Sequence, residues 1–136
     1  MTSARAPRVI LASASPRRRE LLAALIDDFA VVPSDVEELL TGDGFVDAER
    51  LAFAKARDIA DRHPGATVIG SDTVVFDEER SFGKPDDAVH AMDMWRLLRG
   101  RVHEVATSVA VVGPAGERQL TEVAEVELAA LSDAEV

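Results

Sequence analysis

The stretch Thr67 to Phe76, TVIGSDTVVF, constrains this chain more than any other. It reads as a near-continuous β-branched strand interrupted by Gly70-Ser71-Asp72-Thr73. An isolated carboxylate inside such an apolar strand costs several kcal/mol unless it is paired, hydrogen-bonded or metal-bound. Asp72 is therefore expected at the strand end or in a site. There it could hold a divalent cation, activate water, or do both. The competing reading is a structural Asp that caps a turn.

Strand-like and helix-like segments alternate around it, which predicts one α/β domain. Arg8 to Ser13 (RVILAS) reads as a short buried strand. A helix follows at once, with Ser15 as N-cap, Pro16 at its first position and Leu21, Leu22, Leu25 and Ile26 in one apolar stripe. Phe29 to Pro33 predicts a second strand, and Ser34 to Asp47 an acidic loop with a helical turn around Val36 to Leu40. Asp47 is the expected cap of a second helix that runs to about Arg62, where Pro64-Gly65 stops it. Its stripe holds Leu51, Ala52, Ala56, Ile59 and Ala60, and Lys55 falls on that stripe.

Asp87 to Arg99 predicts a third helix with Ala88, Ala91, Met92, Trp95 and Leu98 on its core face and Gly100 just past its end. Val102 to Val112 and Gln119 to Leu128 read as strands of an antiparallel hairpin joined by Gly113-Pro114-Ala115-Gly116. Ser132-Asp133-Ala134-Glu135 has the spacing of a capping box one residue before the sequence stops, so the expectation is a fragment.

Composition narrows the function. With 136 residues and 47% hydrophobic content, one compact domain is the prior. No apolar run approaches the roughly 18 residues of a membrane span, and the N-terminus lacks a signal peptide's apolar core, so no membrane partner and a cytoplasmic location are expected. The net charge of -10 and the absence of tyrosine disfavour a nucleic-acid partner. Charge is nevertheless uneven. Arg5, Arg8, Arg17, Arg18 and Arg19 crowd the first 19 residues, and all 25 acids lie beyond them, so a small anion could bind at the N-terminal segment.

Three groups of residues could carry chemistry. In Ser13-Ala-Ser-Pro-Arg-Arg-Arg, three arginines in a helix's first turn oppose the macrodipole at about 0.3–1 kcal/mol each, a rule usually broken for function. A strand ending in small hydroxyl residues and running into a helix N-terminus with guanidinium forks is what a di- or triphosphate needs; the bland reading is a solvated basic turn. Asp72 is the second, with Thr73 beside it as a hydrogen-bond donor. The third comprises Glu37, Glu38, Lys55 and Lys84. Glu38 or Glu37 with Asp72 could hold a hard cation such as Mg²⁺, and the lysines could neutralise phosphate charge. Taken singly, Lys84 is most often a surface turn and Lys55 most often snorkels past its apolar neighbours.

Taken together and in order, SASPRRRELL, Glu37-Glu38, Leu51-Ala-x-x-Lys55-Ala56, Gly70-Ser-Asp-Thr-Val-Val75, Gly83-Lys-Pro85 and Leu98-x-Gly100-Arg-x-His-Glu-Val-x-Thr107 resemble the Maf family from about Val9 to Val136. The resemblance implies an ITPase-like central curved mixed sheet flanked by helices, with a nucleotide cleft between two lobes. It implies hydrolysis of nucleoside triphosphates to the monophosphate and diphosphate with a divalent metal cation, Mg²⁺ or Mn²⁺, no organic cofactor, and usually a homodimer. By the same resemblance, Ser13, Arg17 and Arg18 look like the phosphate-binding motif, with Arg17 also touching substrate choice. Asp72 looks like the proton acceptor, Glu38 (or Glu37) the metal-associated carboxylate, and Lys55 and Lys84 the phosphate-facing lysines. Thr73 matches the branch that prefers dTTP and UTP, whereas Ser71 stands where that branch often has alanine. Family members continue with a motif of the type D-K-A-G-x-Y-x-x-Q that is not found here, so the expectation is the N-terminal two thirds or so of such a domain. The reading from a different class is a non-catalytic nucleotide-binding regulator of cell division.

Overall fold

In the computed structural model, which describes residues 9–77, 81–82 and 87–127, the elements in chain order are β1 (Val9–Ala12), α1 (Pro16–Ala23), β2 (Ala30–Val31), α2 (Gly44–Arg62), β3 (Thr67–Phe76), β4 (Ser81–Phe82), which was not expected, α3 (Ala88–Leu98), β5 (Val102–Gly113) and β6 (Gly116–Glu127). One six-stranded mixed sheet results, ordered β2-β1-β3-β5-β6, with β4 on β3. β1 is parallel to both β2 and β3, while the β3–β4, β3–β5 and β5–β6 pairs are antiparallel.

β3 runs unbroken through Gly70-Ser71-Asp72-Thr73, where the sequence suggests an interruption. The reason is its neighbour: β5 pairs with it continuously from Val68 to Phe76 and satisfies that edge of the backbone. The opposite edge is shared by two short strands. β1 takes Thr67 to Gly70 and β4 takes Val75 and Phe76. Among the described residues, Ser71 to Val74 thus have no strand partner on that edge. The sheet is open there.

α2 covers one face. Its Ala52, Ala56 and Ile59 pack on Ile10, Ala12, Val68, Ala110 and Val112, the principal core cluster. The contact is unusually close at Gly70, where a Cβ would stand 2.4 Å from the Ala52 carbonyl oxygen and 2.7 Å from the Ala56 nitrogen. Only a residue without a side chain lets helix and strand backbones meet like this. Lys55 lies between Ala52 and Ala56, and Asp72 lies two residues from Gly70 on the same face of β3, so the contact brings lysine and carboxylate together. Right-handed β1–α1–β2 and β2–α2–β3 crossovers step in opposite directions along the sheet, which assigns α1 to the other face.

Local signals set most boundaries. The Ser15 side chain accepts from the Arg18 N–H with Pro16 in the first turn, and the Asp87 side chain accepts from the His90 N–H. Past the third helix, Gly100 takes φ +68°, which a glycine adopts freely. α2, however, is capped by Asp43, whose side chain accepts from the Val46 N–H, so Asp47 sits inside the first turn and is buried. Residues 36–40 form no helical turn. The α1 stripe is not a core stripe either. No α1 residue is buried, and Leu21 and Leu25 are exposed because no described segment reaches them. In α3 only Leu98 is buried. β6 begins at Gly116, earlier than Gln119, because the hairpin register already pairs Gly113 with Gly116.

Gly70→Ala is expected to cost at least about 1–3 kcal/mol, since the new methyl meets helix backbone and not a yielding side chain. Urea denaturation checks this, and an unchanged midpoint would show that the helix can back away at no cost.

Candidate active site

The stretch of β3 left open by β1 and β4 carries two neighbouring side chains that point to opposite faces of the sheet. Asp72 faces α2 and is buried at 6% exposure. Its Oδ1 accepts from Lys55 Nζ at 2.7 Å, and the same ammonium donates to Glu38 Oε1 at 2.8 Å. Glu38, from the segment between β2 and α2, therefore shares one cation with Asp72. Glu37 is exposed beside it.

Thr73 faces the other way and is exposed. Arg18 Nη2, from the first turn of α1, donates to Thr73 Oγ1 at 3.2 Å, and Thr107 Oγ1 on β5 stands 3.3 Å from the same oxygen. A cleft of about 120 Å³ is lined among others by Ser13, Ser15, Arg18, Glu38 and Lys55. It forms where β1 ends and α1 begins. The turn is ordered by its own hydroxyls: Ser15 N–H donates to Ser13 Oγ at 3.0 Å, and Arg18 N–H donates to Ser15 Oγ at 3.3 Å. Arg17 lies exposed in the same first turn, next to the half-buried Arg18. Ser13, Arg18, Glu38 and Lys55 thus line one cleft, to which Asp72 is joined through Lys55 and Thr73 through Arg18. Lys84 lies outside the described residues.

Burial pushes the Asp72 carboxyl above its ordinary value of 3.8; the hydrogen bond and positive charge of Lys55 oppose this without overcoming it, and the Glu38 charge adds to the rise. Such a group takes up a proton more readily than an exposed aspartate. In donor chemistry, Glu38 and Asp72 offer hard carboxylate oxygens that converge on one point, which suits Mg²⁺ or Mn²⁺. Among the described residues no cluster of three or more His, Cys, Asp or Glu side chains could hold a metal, so a cation at this pair would need further ligands from elsewhere.

Asp47 escaped the sequence reading as anything but a cap. It is fully buried, and its carboxylate accepts from both the Thr41 N–H and Oγ1–H, from Ser81 Oγ at 3.0 Å and from Arg50 Nη2 at 3.3 Å. Arg50 also donates to the Leu39 carbonyl. The stretch immediately after Glu38 is thereby fastened to α2 and β4. Burial alone would raise the Asp47 pKa, but the hydrogen bonds from Thr41, Ser81 and Arg50 hold it below the usual range.

Comparison with known proteins follows the same lines. A family profile described as Maf-like protein matches residues 8–136. The dTTP/UTP pyrophosphatase of Thermococcus gammatolerans is 46% identical over 125 residues, covering 92% of this chain and 67% of that protein. The dTTP/UTP pyrophosphatase of Akkermansia muciniphila is 42% identical over 134 residues, covering 96% of this chain and 70% of its own. That of Deinococcus radiodurans is 43% identical over 137 residues and is covered to 70%. The chain therefore spans about two thirds of the length of these relatives. The structure of the Staphylococcus aureus Ham1 protein superposes with a TM-score of 0.58 at 16% identity, over 90% of this chain and 72% of that one. At that identity the likeness speaks for the α/β fold alone. No described helix is long and apolar enough to cross a membrane.

Asp47→Asn is expected to lose about 1–3 kcal/mol of stability at neutral pH, because it weakens a buried, hydrogen-bonded acceptor. A carboxylate with a depressed folded pKa stabilises fully above its unfolded value of 3.8, and that contribution is lost as pH falls through the lower folded value. The gap between wild type and variant should therefore close on acidification below that value. Asp72, shifted the other way, affects both proteins alike and drops out of the difference. Urea midpoints across a pH series measure it; a gap that persists at the acid end would contradict the assignment.

Proposed function

Because this chain belongs to the Maf family, we propose that it is a nucleoside triphosphate pyrophosphatase that hydrolyses (d)NTPs to the monophosphate and diphosphate, with dTTP and UTP preferred. The reading is supported above all by one cleft lined by a guanidinium-bearing helix start and by Lys55, whose ammonium is bonded to the buried carboxylate of Asp72. The pyrimidine preference rests on the names of the relatives and on Thr73.

In this reading the triphosphate lies along the turn at Ser13, with its charge met by Arg17, Arg18, Lys55 and Lys84. Fixed positive groups in a partly desolvated cleft stabilise the negative charge that shifts onto the leaving diphosphate. Asp72 takes a proton from water as the water oxygen attacks phosphorus. The anhydride bond between the α- and β-phosphates breaks, and the diphosphate leaves with that bond's electron pair. Before substrate arrives, Lys55 holds the Asp72 carboxylate in place, at 2.7 Å. Glu38 and Asp72 would hold the divalent cation, Mg²⁺ or Mn²⁺, whose charge, when bound, polarises phosphate oxygens and acidifies water. Thr73, tied to Arg18 and Thr107, faces the substrate from the opposite side of β3. A single domain, a cytoplasmic setting and a homodimer complete the reading on the strength of the family.

Asp72→Asn preserves shape and should leave the fold intact while lowering diphosphate release by about 10²–10⁴-fold, the usual contribution of a general base. For the wild type, kcat/KM should fall on acidification in a range above 3.8, because Asp72 must be ionised to accept the proton. Diphosphate release from dTTP and UTP with Mg²⁺ is the assay. Full turnover by the variant removes Asp72 from the mechanism, and no release from any triphosphate by the wild type favours a nucleotide-binding regulator.

A further inference from the structure

Lys55 occupies an unusual position for a residue that is to meet phosphate. Its ammonium is already committed, at 2.7 Å to Asp72 and 2.8 Å to Glu38, with only 15% of its side chain exposed. The point on which these two carboxylates converge is therefore filled by a positive charge of the protein's own. A divalent cation bound by both would need that point. It would also find, with the ammonium still present, a site whose formal charge is one negative unit and whose protein ligands number two, too few for a hard ion that takes six or more oxygens.

We infer that Lys55 is a built-in counter-ion: it keeps the Asp72–Glu38 pair from taking a divalent cation until a polyphosphate draws the ammonium away. This rests on the proposed reading that phosphates occupy the cleft. The helix backbone cannot make room, because Ala52 and Ala56 on either side of Lys55 are pressed against Gly70. The side chain can, since a lysine carries its charge on a flexible four-carbon stem. Lys55 and Arg18 line the same cleft, so phosphate oxygens arriving at Arg18 come within the sweep of the lysine. Once the ammonium turns to phosphate, two carboxylate oxygens are released at the moment the nucleotide supplies the missing ligands. Cation and nucleotide then reinforce each other's binding, and linkage makes the effect equal in both directions.

The test needs no turnover. Mn²⁺ alone is titrated into the nucleotide-free chain and followed by electron paramagnetic resonance for wild type, Lys55→Met and Lys55→Gln, with thermal melts confirming that each is folded. Binding to wild type should be weak, and both variants should bind at least about tenfold more tightly, the scale of removing a unit charge a few ångströms away. Adding Asp72→Asn to either variant should abolish the gain. Variants that bind Mn²⁺ no better than wild type, or whose gain survives Asp72→Asn, would overturn the inference. The two readings fail separately: tighter Mn²⁺ binding in a chain that hydrolyses no triphosphate leaves the counter-ion standing and removes the pyrophosphatase. Normal hydrolysis with unchanged Mn²⁺ binding does the reverse.

Discussion

The missing side chain at Gly70 is the constraint on which the rest depends. Because nothing projects from β3 at that point, the backbone of α2 settles directly onto it. That approach sets the reach of Lys55, and the reach of Lys55 lets a carboxylate persist inside an apolar strand. Without the ammonium, Asp72 would be an uncompensated buried charge. With it, the penalty is reduced but not removed, and the remainder appears as a carboxyl that protonates more easily than usual.

A second constraint is the division of one strand edge between two short partners. β1 stops at Ala12 and β4 starts at Ser81, and among the described residues the stretch of β3 between their contacts faces no strand on that edge. Side chains from the α1 turn and from the segment that carries Glu38 meet it instead, Arg18 at Thr73 and Glu38 through the Lys55 that it shares with Asp72. Loops tolerate polar side chains and cavities that a continuous ladder would squeeze out. The scaffold is held by long β5 and α2, while the cleft is built from what the sheet leaves unpaired.

Much of this was legible in the residues. Ser15, Pro16 and Asp87 announced helix starts because capping is local chemistry, and Asp72 announced a site because a lone acid in a β-branched run is too costly to bury without a partner. The remainder depended on partners distant in sequence. GSDT looked like a break until β5, more than thirty residues on, supplied its ladder. Asp47 was expected as the cap, but Asp43 takes that place and Asp47 is held inside by Thr41, Arg50 and Ser81, the last of which no local pattern connects to it. Leu21 and Leu25 had helical spacing, yet spacing says only that two side chains share a face, not that anything covers it. The opposite orientations of Asp72 and Thr73 follow from strand alternation, but only once the strand is known to be unbroken.

That alternation has an evolutionary consequence. Acid and hydroxyl are adjacent in the chain, and each makes its contacts on its own side of the sheet. Sliding β3 by one position against β5 would exchange the two and carry Gly70 away from the helix that needs it. Insertions or deletions inside this strand cannot be absorbed gradually, so length change in descendants of such a protein is confined to the connecting loops, while the strand can drift only by substitution.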